Sequence, residues 1–227
     1  MTARDGIGAV LFDAYGTLFD LRSAVTPHAA ALGEHMDRVL AVWRQKQLEY
    51  TWTSSLRNAY RDFHAITRDA LSFALAAEGF AEPGFSEALM RSFLELSPYP
   101  DAEPTLRSLH ARGIRLGILS NGTPDMLQRL LQGHAFAPLL DPILSVDAVR
   151  VFKPDHRVYR LGVDALGLRP DQVGFVSGNA WDAAGAAGFG FRVFWINRTR
   201  QPLEYALADK ATVISALADL PPALDRA

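Results

Sequence analysis

The chain has 227 residues, a formal charge of −2 from 23 Lys and Arg against 25 Asp and Glu, and no cysteine. Its length favours one α/β core with a smaller insert, its balanced charge argues against a nucleic-acid partner, and the missing cysteines exclude disulfides and thiolate chemistry. No apolar stretch reaches the roughly 20 residues of a membrane span and Asp13 interrupts the only candidate signal sequence, so we expect a cytoplasmic protein, away from membranes, whose partner is a small molecule.

The first predicted strand, residues 9–12, is a continuous apolar run that ends at Asp13. Such short runs are typical of strands buried on both faces of a parallel sheet. Residues 19–98 show no strand pattern, and their apolar residues recur at helical intervals, as between Leu32 and Trp43. We therefore expect an all-helical cap over 19–98, which returns to the core through the proline-punctuated segment 98–101.

From residue 99 onward, strand and helix patterns alternate, which predicts a doubly wound, mostly parallel α/β sheet. Residues 1–18 and 99–227 would form this Rossmann-like core, and the inserted cap would overhang the edge of the sheet that bears Asp13. The remaining predicted strands are residues 114–119, 143–146, 173–176 and 191–196, with a weaker one at 212–214. The predicted helices are residues 102–112, 124–132, 154–166 and 181–187.

Polar side chains follow four of the predicted strands. The carboxyl ends of parallel strands share one edge, where open α/β sheets bind their ligands. Taken singly, each of these residues is more often a turn, cap or surface residue, but together they predict one crevice. They are Asp13 after the first strand, Ser120 and Asn121 after the second, Lys153 after the third, and Ser177, Asn179 and Asp182 after the fourth.

These segments resemble the four motifs of the haloacid dehalogenase superfamily. The matching segments are Asp13-x-Tyr15-Gly16-Thr17, Ser120-Asn121-Gly122, Lys153-Pro154 and Ser177-x-Asn179-x-x-Asp182. In the insert, residues 43–52 (WRQKQLEYTW) are similar to the L-2-haloacid dehalogenases, and the resemblance covers nearly the whole chain. It implies hydrolytic dehalogenation of short L-2-haloalkanoic acids to D-2-hydroxy acids through an aspartyl ester, with inversion, without metal or other cofactor, in a homodimer.

The resemblance also implies which residues form the site. The catalytic residues are Asp13, Thr17, Arg44, Ser120, Asn121, Lys153, Tyr159, Ser177, Asn179 and Asp182. The substrate-binding residues are Tyr15, Gln45, Leu48, Phe63, Ser120, Asn121 and Trp181, and the halide-binding residues are Arg44 and Asn121.

Two alternatives stay open at this point. Tyr15 stands where a phosphatase on this loop would carry a second Asp to protonate the leaving alcohol, and the fourth motif offers one carboxylate, Asp182, to a metal. We expect Lys153 to keep Asp13 ionised instead. The alternatives are a Mg²⁺-dependent phosphatase or phosphonatase of the same superfamily, and a binding protein that keeps the scaffold without turnover.

Overall fold

The computed structural model describes residues 6–80 and 83–226; residues 1–5, 81–82 and 227, which the predicted domains include, lie outside the described residues. The described strands form one six-stranded sheet in the order β3-β2-β1-β4-β5-β6, and every neighbouring pair is parallel. The predicted doubly wound fold is therefore confirmed. The strands are β1 (Ala9–Phe12), β2 (Arg115–Ser120), β3 (Leu140–Ser145), β4 (Val173–Ser177), β5 (Arg192–Ile196) and β6 (Ala211–Ile214).

The strand order reverses at β1, which lies between β2 and β4. The chain builds outward from β1 to β3 and then crosses back to β4 on the other side. Ligands of open α/β sheets bind at such a reversal, outside the carboxyl ends of the strands. Phe12 at the end of β1 pairs with Ile118 and with Val176, so the three central strands end close to one level.

Helices cover this sheet and build the insert. The insert contains α1 (Ala29–Leu32), α2 (Met36–Leu56), α3 (Phe63–Ala77) and α4 (Pro83–Leu94). The core contains α5 (Ala102–Ala111), α6 (Pro124–Leu131), α7 (His156–Leu166), α8 (Ala180–Phe189) and α9 (Leu220–Leu224). Short 3-10 helices occupy Leu21–Ala24, Thr26–His28, Gly33–His35, Ala137–Leu139, Val146–Ala148, Pro170–Gln172 and Leu217–Asp219. Within 6–80 and 83–226, no helix combines the length and apolar character needed to cross a bilayer.

The helical pattern between Leu32 and Trp43 is interrupted after its first member. Gly33 has a φ of 54°, a conformation that favours glycine, and it begins the turn that separates α1 from α2. Helix α2 then buries Val39 and Trp43. The Trp43 indole N–H donates to the carbonyl oxygen of Thr67 at 2.9 Å, which fastens α2 to α3.

Most predicted boundaries differ from the observed ones by a residue or two, and two elements start two or more residues away from their predicted start. Helix α7 begins at His156 and not at residue 154, because the Asp155 side chain caps it by accepting from the Arg157 N–H at 2.9 Å. Strand β3 begins at Leu140, before the predicted start at 143. Its Asp141-Pro142 pair breaks the apolar pattern, and an edge strand tolerates the proline.

The two segments that join insert and core run side by side. The Asp20 N–H donates to the Ser97 carbonyl at 2.8 Å, and the Tyr99 N–H donates to the Leu18 carbonyl at 2.9 Å. The insert therefore leaves the core a few residues after Asp13, and its return segment at Ser97 and Tyr99 lies beside this exit, next to the carboxyl end of β1.

Candidate active site

Asp13 directly follows β1, and its backbone N–H donates to the Val176 carbonyl at 2.9 Å. Its side chain is 8% exposed. Lys153 Nζ lies 3.2 Å from Oδ1, whereas Thr17 Oγ1 and Asn179 Nδ2 each donate to Oδ2 at 3.0 Å. The carboxylate is thus held by an ammonium on one oxygen and by two neutral donors on the other.

Lys153 bridges Asp13 to a second buried carboxylate, that of Asp182. Its Nζ is 2.9 Å from Asp182 Oδ2, which also accepts from Ser177 Oγ at 2.9 Å, while the Tyr159 hydroxyl donates to Oδ1 at 2.8 Å. Burial raises the pKa of Asp182, and the Lys153 ammonium opposes this shift. Burial also raises the pKa of Tyr159 well above its usual value, so the phenol stays protonated and can donate.

Thr17 joins the loop after β1 to the loop after β4. Its hydroxyl donates to Asp13 and accepts from the Gly178 N–H at 2.8 Å. A Cβ on Gly178 would lie 2.3 Å from the Gly16 carbonyl oxygen, so only glycine permits this approach. The close approach of these two loops therefore fixes the direction in which the Thr17 hydroxyl donates.

The loop after β2 contributes Ser120 and Asn121. Asn121 Oδ1 accepts from the backbone N–H of Lys153 at 3.1 Å. This bond holds in place the loop that contains Lys153, here called the lysine loop. Ser120 is fully buried, and its Oγ accepts from the Gly122 N–H at 3.1 Å. A Cβ on Gly122 would lie 2.9 Å from the Tyr15 ring, so this loop packs directly against Tyr15.

Arg44 brings helix α2 of the insert to this cluster. Its Nη2 donates to Asn179 Oδ1 at 3.2 Å, and its Nη1 donates to Gln47 Oε1 at 2.7 Å. Burial lowers the pKa of Arg44, while Asp13 opposes the shift. The sequence-based prediction missed Gln47, although its position three residues after Arg44 on one helix is a signal that could have found it.

Aromatic rings line the space beside Asp13. The Tyr15 ring stacks on Phe93 with centroids 5.3 Å apart and lies 5.5 Å from the Phe63 ring. The Tyr15 hydroxyl is buried and has no hydrogen-bond partner within the described ranges. Burial raises its pKa, so this phenol also stays neutral and keeps its proton to donate.

The other predicted binding residues lie along α2 and at the start of α8. Trp181 packs edge-to-face on Trp52 of α2, with centroids 5.6 Å apart, and Leu48 lies one turn before Trp52 and is partly buried. Gln45 is exposed, so the structure does not bring it to the Asp13 cluster.

A second contact between insert and core touches the lysine loop, and the sequence did not indicate it. The Tyr60 ring stacks on Phe152 at 5.1 Å, and its hydroxyl donates to Asp147. Ser55 Oγ accepts from the Phe152 N–H at 3.1 Å. The insert is therefore bonded both to Asn179 and to the residue that precedes Lys153.

A divalent metal does not fit between the two buried carboxylates. Lys153 Nζ lies there, 3.2 Å from Asp13 and 2.9 Å from Asp182. In the described part of the chain, no group of three or more His, Asp or Glu side chains could hold a metal ion. The cationic position of this site belongs to the lysine.

One hydrogen-bond network thus connects most of the predicted catalytic residues. Its buried carboxylate, with a cation on one oxygen and directed donors on the other, is suited to covalent catalysis at an electrophilic carbon. The predicted residues in this network are Asp13, Thr17, Arg44, Asn121, Lys153, Tyr159, Ser177, Asn179 and Asp182.

Comparisons with known proteins agree with this geometry. The family model of the haloacid dehalogenase-like hydrolases matches residues 7–190. (S)-2-haloacid dehalogenase 1 of Pseudomonas sp. (strain CBS-3) is 44% identical over 98% of this chain and 98% of its own length. (S)-2-haloacid dehalogenase 4A of Burkholderia cepacia is 43% identical over 97% and 96%. The solved structure of the Xanthobacter autotrophicus L-2-haloacid dehalogenase with chloropropionic acid covalently bound superimposes with a TM-score of 0.87, at 37% identity, covering 96% of this chain and 98% of that one.

Proposed function

Because the chain belongs to the haloacid dehalogenase-like hydrolases and, within them, to the (S)-2-haloacid dehalogenases, we propose that it hydrolyses short L-2-haloalkanoic acids to D-2-hydroxy acids without a metal. The observation that carries the proposal is the Asp13 carboxylate, which is held by Lys153 Nζ at 3.2 Å at the carboxyl end of β1. A carboxylate oxygen that is held by an ammonium keeps a lone pair that can attack saturated carbon.

In the first step, Asp13 Oδ1 attacks the α-carbon, the carbon–halogen bond breaks, and the halide leaves with the bonding electrons. We assign the attack to Oδ1 because Lys153 alone donates to it, whereas Oδ2 accepts from Thr17 and Asn179. Attack from behind inverts the α-carbon, which converts an L-halo acid into a D-hydroxy acid. The Xanthobacter relative, with its covalently bound chloropropionic acid, supports such an ester.

Substrate binding requires donors for a carboxylate and for a departing halide. We assign the halide to Arg44 and the amide N–H of Asn121, and the substrate carboxylate to Ser120 and the backbone N–H groups of its loop. The buried Tyr15 hydroxyl, which has no partner within 6–80 and 83–226, is a further donor for the substrate. Phe63 supplies an apolar wall that keeps water from the carboxylate during the first step.

In the second step, water adds to Cγ of the Asp13 ester and the Cγ–Oδ1 bond breaks. The product leaves with Oδ1 as its hydroxyl oxygen, and the water oxygen stays on the enzyme. Negative charge develops on Oδ2, where Thr17 and Asn179 already donate at 3.0 Å. One water proton goes to the leaving hydroxyl, and we assign the other to Asp182, because burial raises its pKa and makes it the stronger base.

Halide release from the separate enantiomers of 2-chloropropionate, with EDTA present, tests reaction class, handedness and metal together. The proposal expects release from the L-enantiomer alone, undiminished by the chelator. Turnover that EDTA abolishes would instead favour the Mg²⁺-dependent alternative.

A single turnover in heavy-oxygen water tests the ester. The label is expected in Asp13 and not in the first product molecule, since the product oxygen comes from the carboxylate. Label found directly in that product would reject the covalent mechanism, and Asp13→Asn should release no halide under the same conditions.

We also propose a homodimer, as the family resemblance implies. Sedimentation equilibrium at several protein concentrations would measure the mass in solution. A constant monomer mass would reject this assembly while leaving the chemistry untouched.

A further inference from the structure

Helices α2 and α3 bury a polar pair that the sequence analysis did not assign to the site. Gln47 is 1% exposed and Thr67 is 0% exposed. Gln47 Nε2 donates to Thr67 Oγ1 at 2.6 Å, and the Thr67 hydroxyl donates in turn to the Phe63 carbonyl at 2.6 Å. A buried amide is costly unless it is hydrogen-bonded, and Leu or Met of similar volume would pack here without that requirement.

The oxygen of the Gln47 amide faces the site. Its Oε1 accepts from Arg44 Nη1 at 2.7 Å, and Arg44 Nη2 donates to Asn179 Oδ1 at 3.2 Å. Since Asn179 accepts with Oδ1, its Nδ2 is directed to Asp13 Oδ2 at 3.0 Å. Hydrogen bonds therefore run without interruption from Thr67 in α3 to the nucleophilic carboxylate.

A purely architectural role would not need this arrangement. The Trp43 indole already ties α2 to the Thr67 carbonyl at 2.9 Å, independently of the Gln47 side chain. Arg44 is a long side chain with several rotatable bonds, and Gln47 and Asn179 fix its two terminal amino groups as a pair. Removing Gln47 would leave the guanidinium with one of these two contacts.

We propose that Gln47 is a positioning residue for the dehalogenation, which sets the guanidinium of Arg44 where the halide departs and, through Asn179, aligns Asp13. The inference rests on the proposed function, because it assigns Arg44 to the leaving halide. A misplaced guanidinium penalises a poor leaving group more than a good one. Loss of positioning must therefore slow chloride release more than bromide release.

The test compares Gln47→Met with a matched variant, Thr51→Val. Thr51 lies one turn further along α2 and is equally buried, and its hydroxyl donates to the Leu48 carbonyl of its own helix at 2.7 Å. Halide release from L-2-chloropropionate and L-2-bromopropionate is measured for both variants in a single turnover with enzyme in excess and in the steady state, and rates are referred to the concentration of folded protein.

For Gln47→Met we expect kcat on the chloride to fall about tenfold or more, since small misplacements near a reacting centre cost up to about 10²-fold. The bromide-to-chloride ratio should rise at least about threefold, with KM changing less than kcat. Gln47→Glu, which still accepts from Arg44, should return the ratio towards the wild-type value, and Thr51→Val should leave it unchanged.

The outcomes separate the two hypotheses. A wild-type protein that releases neither halide overturns the proposed function and, with it, this inference. A working wild-type protein whose Gln47→Met variant loses both activities in equal proportion, or neither, overturns the inference alone. If Gln47→Met does not fold, Thr67→Val removes the acceptor of Gln47 Nε2 and must shift the ratio in the same direction, while an unchanged ratio would reject the positioning role.

Discussion

Replacing Tyr15 with Phe is expected to make the protein more stable and the reaction slower. The Tyr15 hydroxyl is buried without a hydrogen-bond partner in the described part of the chain, which costs about 1–3 kcal/mol of unfolding free energy. Phe keeps the ring contacts to Phe63 and Phe93. We therefore expect the free energy of unfolding of Tyr15→Phe to exceed that of the wild type by about 1 kcal/mol.

Turnover should change in the opposite direction, because the same hydroxyl is the donor proposed for the substrate. A hydrogen bond to a charged acceptor contributes about 1.5–3 kcal/mol. Its loss from the transition state would lower kcat/KM by about tenfold to a hundredfold. A hydroxyl that stays unpaired until the substrate binds lowers the stability of the free protein and supports its activity. Its removal should therefore raise the stability and lower the activity.

Urea unfolding followed by circular dichroism, together with halide release, measures both quantities. Tyr159→Phe is the matched control, because that phenol donates to Asp182 at 2.8 Å and its loss should lower the free energy of unfolding by about 1.5–3 kcal/mol. The reasoning is refuted if Tyr15→Phe is destabilised like the control, or if its kcat/KM equals that of the wild type.

Two further substitutions test the charges and donors around Asp13. Lys153→Met leaves two buried carboxylates without their cation and should lower the free energy of unfolding by about 3–5 kcal/mol at pH 8. The loss should shrink as the pH is lowered, since protonation of Asp182, whose pKa burial already raises, makes this side chain cheaper to bury; a loss independent of pH in urea titrations would contradict this. Thr17→Val removes a donor to Oδ2 and should slow ester hydrolysis by about 10²-fold while sparing ester formation. Mass spectrometry after rapid quenching should then find the ester accumulated, and an ester fraction like that of the wild type would be evidence against the assigned role.

The edge of the sheet and its main side chains could be predicted from local patterns. Asp13 and Ser177 stand at the ends of buried apolar strands, and parallel strands bring such ends together whatever the rest of the chain does. Lys153 was predictable for the same reason, because it follows the third strand. The pair Asp141-Pro142 interrupts the apolar run of that strand, so its first three residues were not predicted.

The residues that the sequence did not reveal depend on long-range packing. Gln47 is one of several polar residues on a helix that mixes polar and apolar residues, and its burial becomes visible when α2 is packed on Thr67 of α3. The bond between Tyr60 and Asp147 joins residues far apart in the chain, and no periodicity marks either of them. The break at Gly33 was equally hidden, because the apolar residues on both sides keep a helical spacing.

The charges of the site suit a substrate that carries a single negative charge. Asp13 and Asp182 carry two formal negative charges, and Lys153 with Arg44 carries two positive ones. A 2-halocarboxylate adds one negative charge to this neutral set, whereas a phosphate dianion would add two with no further cation in the network to offset them. One of the two positive charges arrives from the insert, so the balance exists only while α2 lies against Asn179. Charge therefore favours substrate binding while Arg44 contacts Asn179, and it makes this contact part of the chemistry as well as of the architecture.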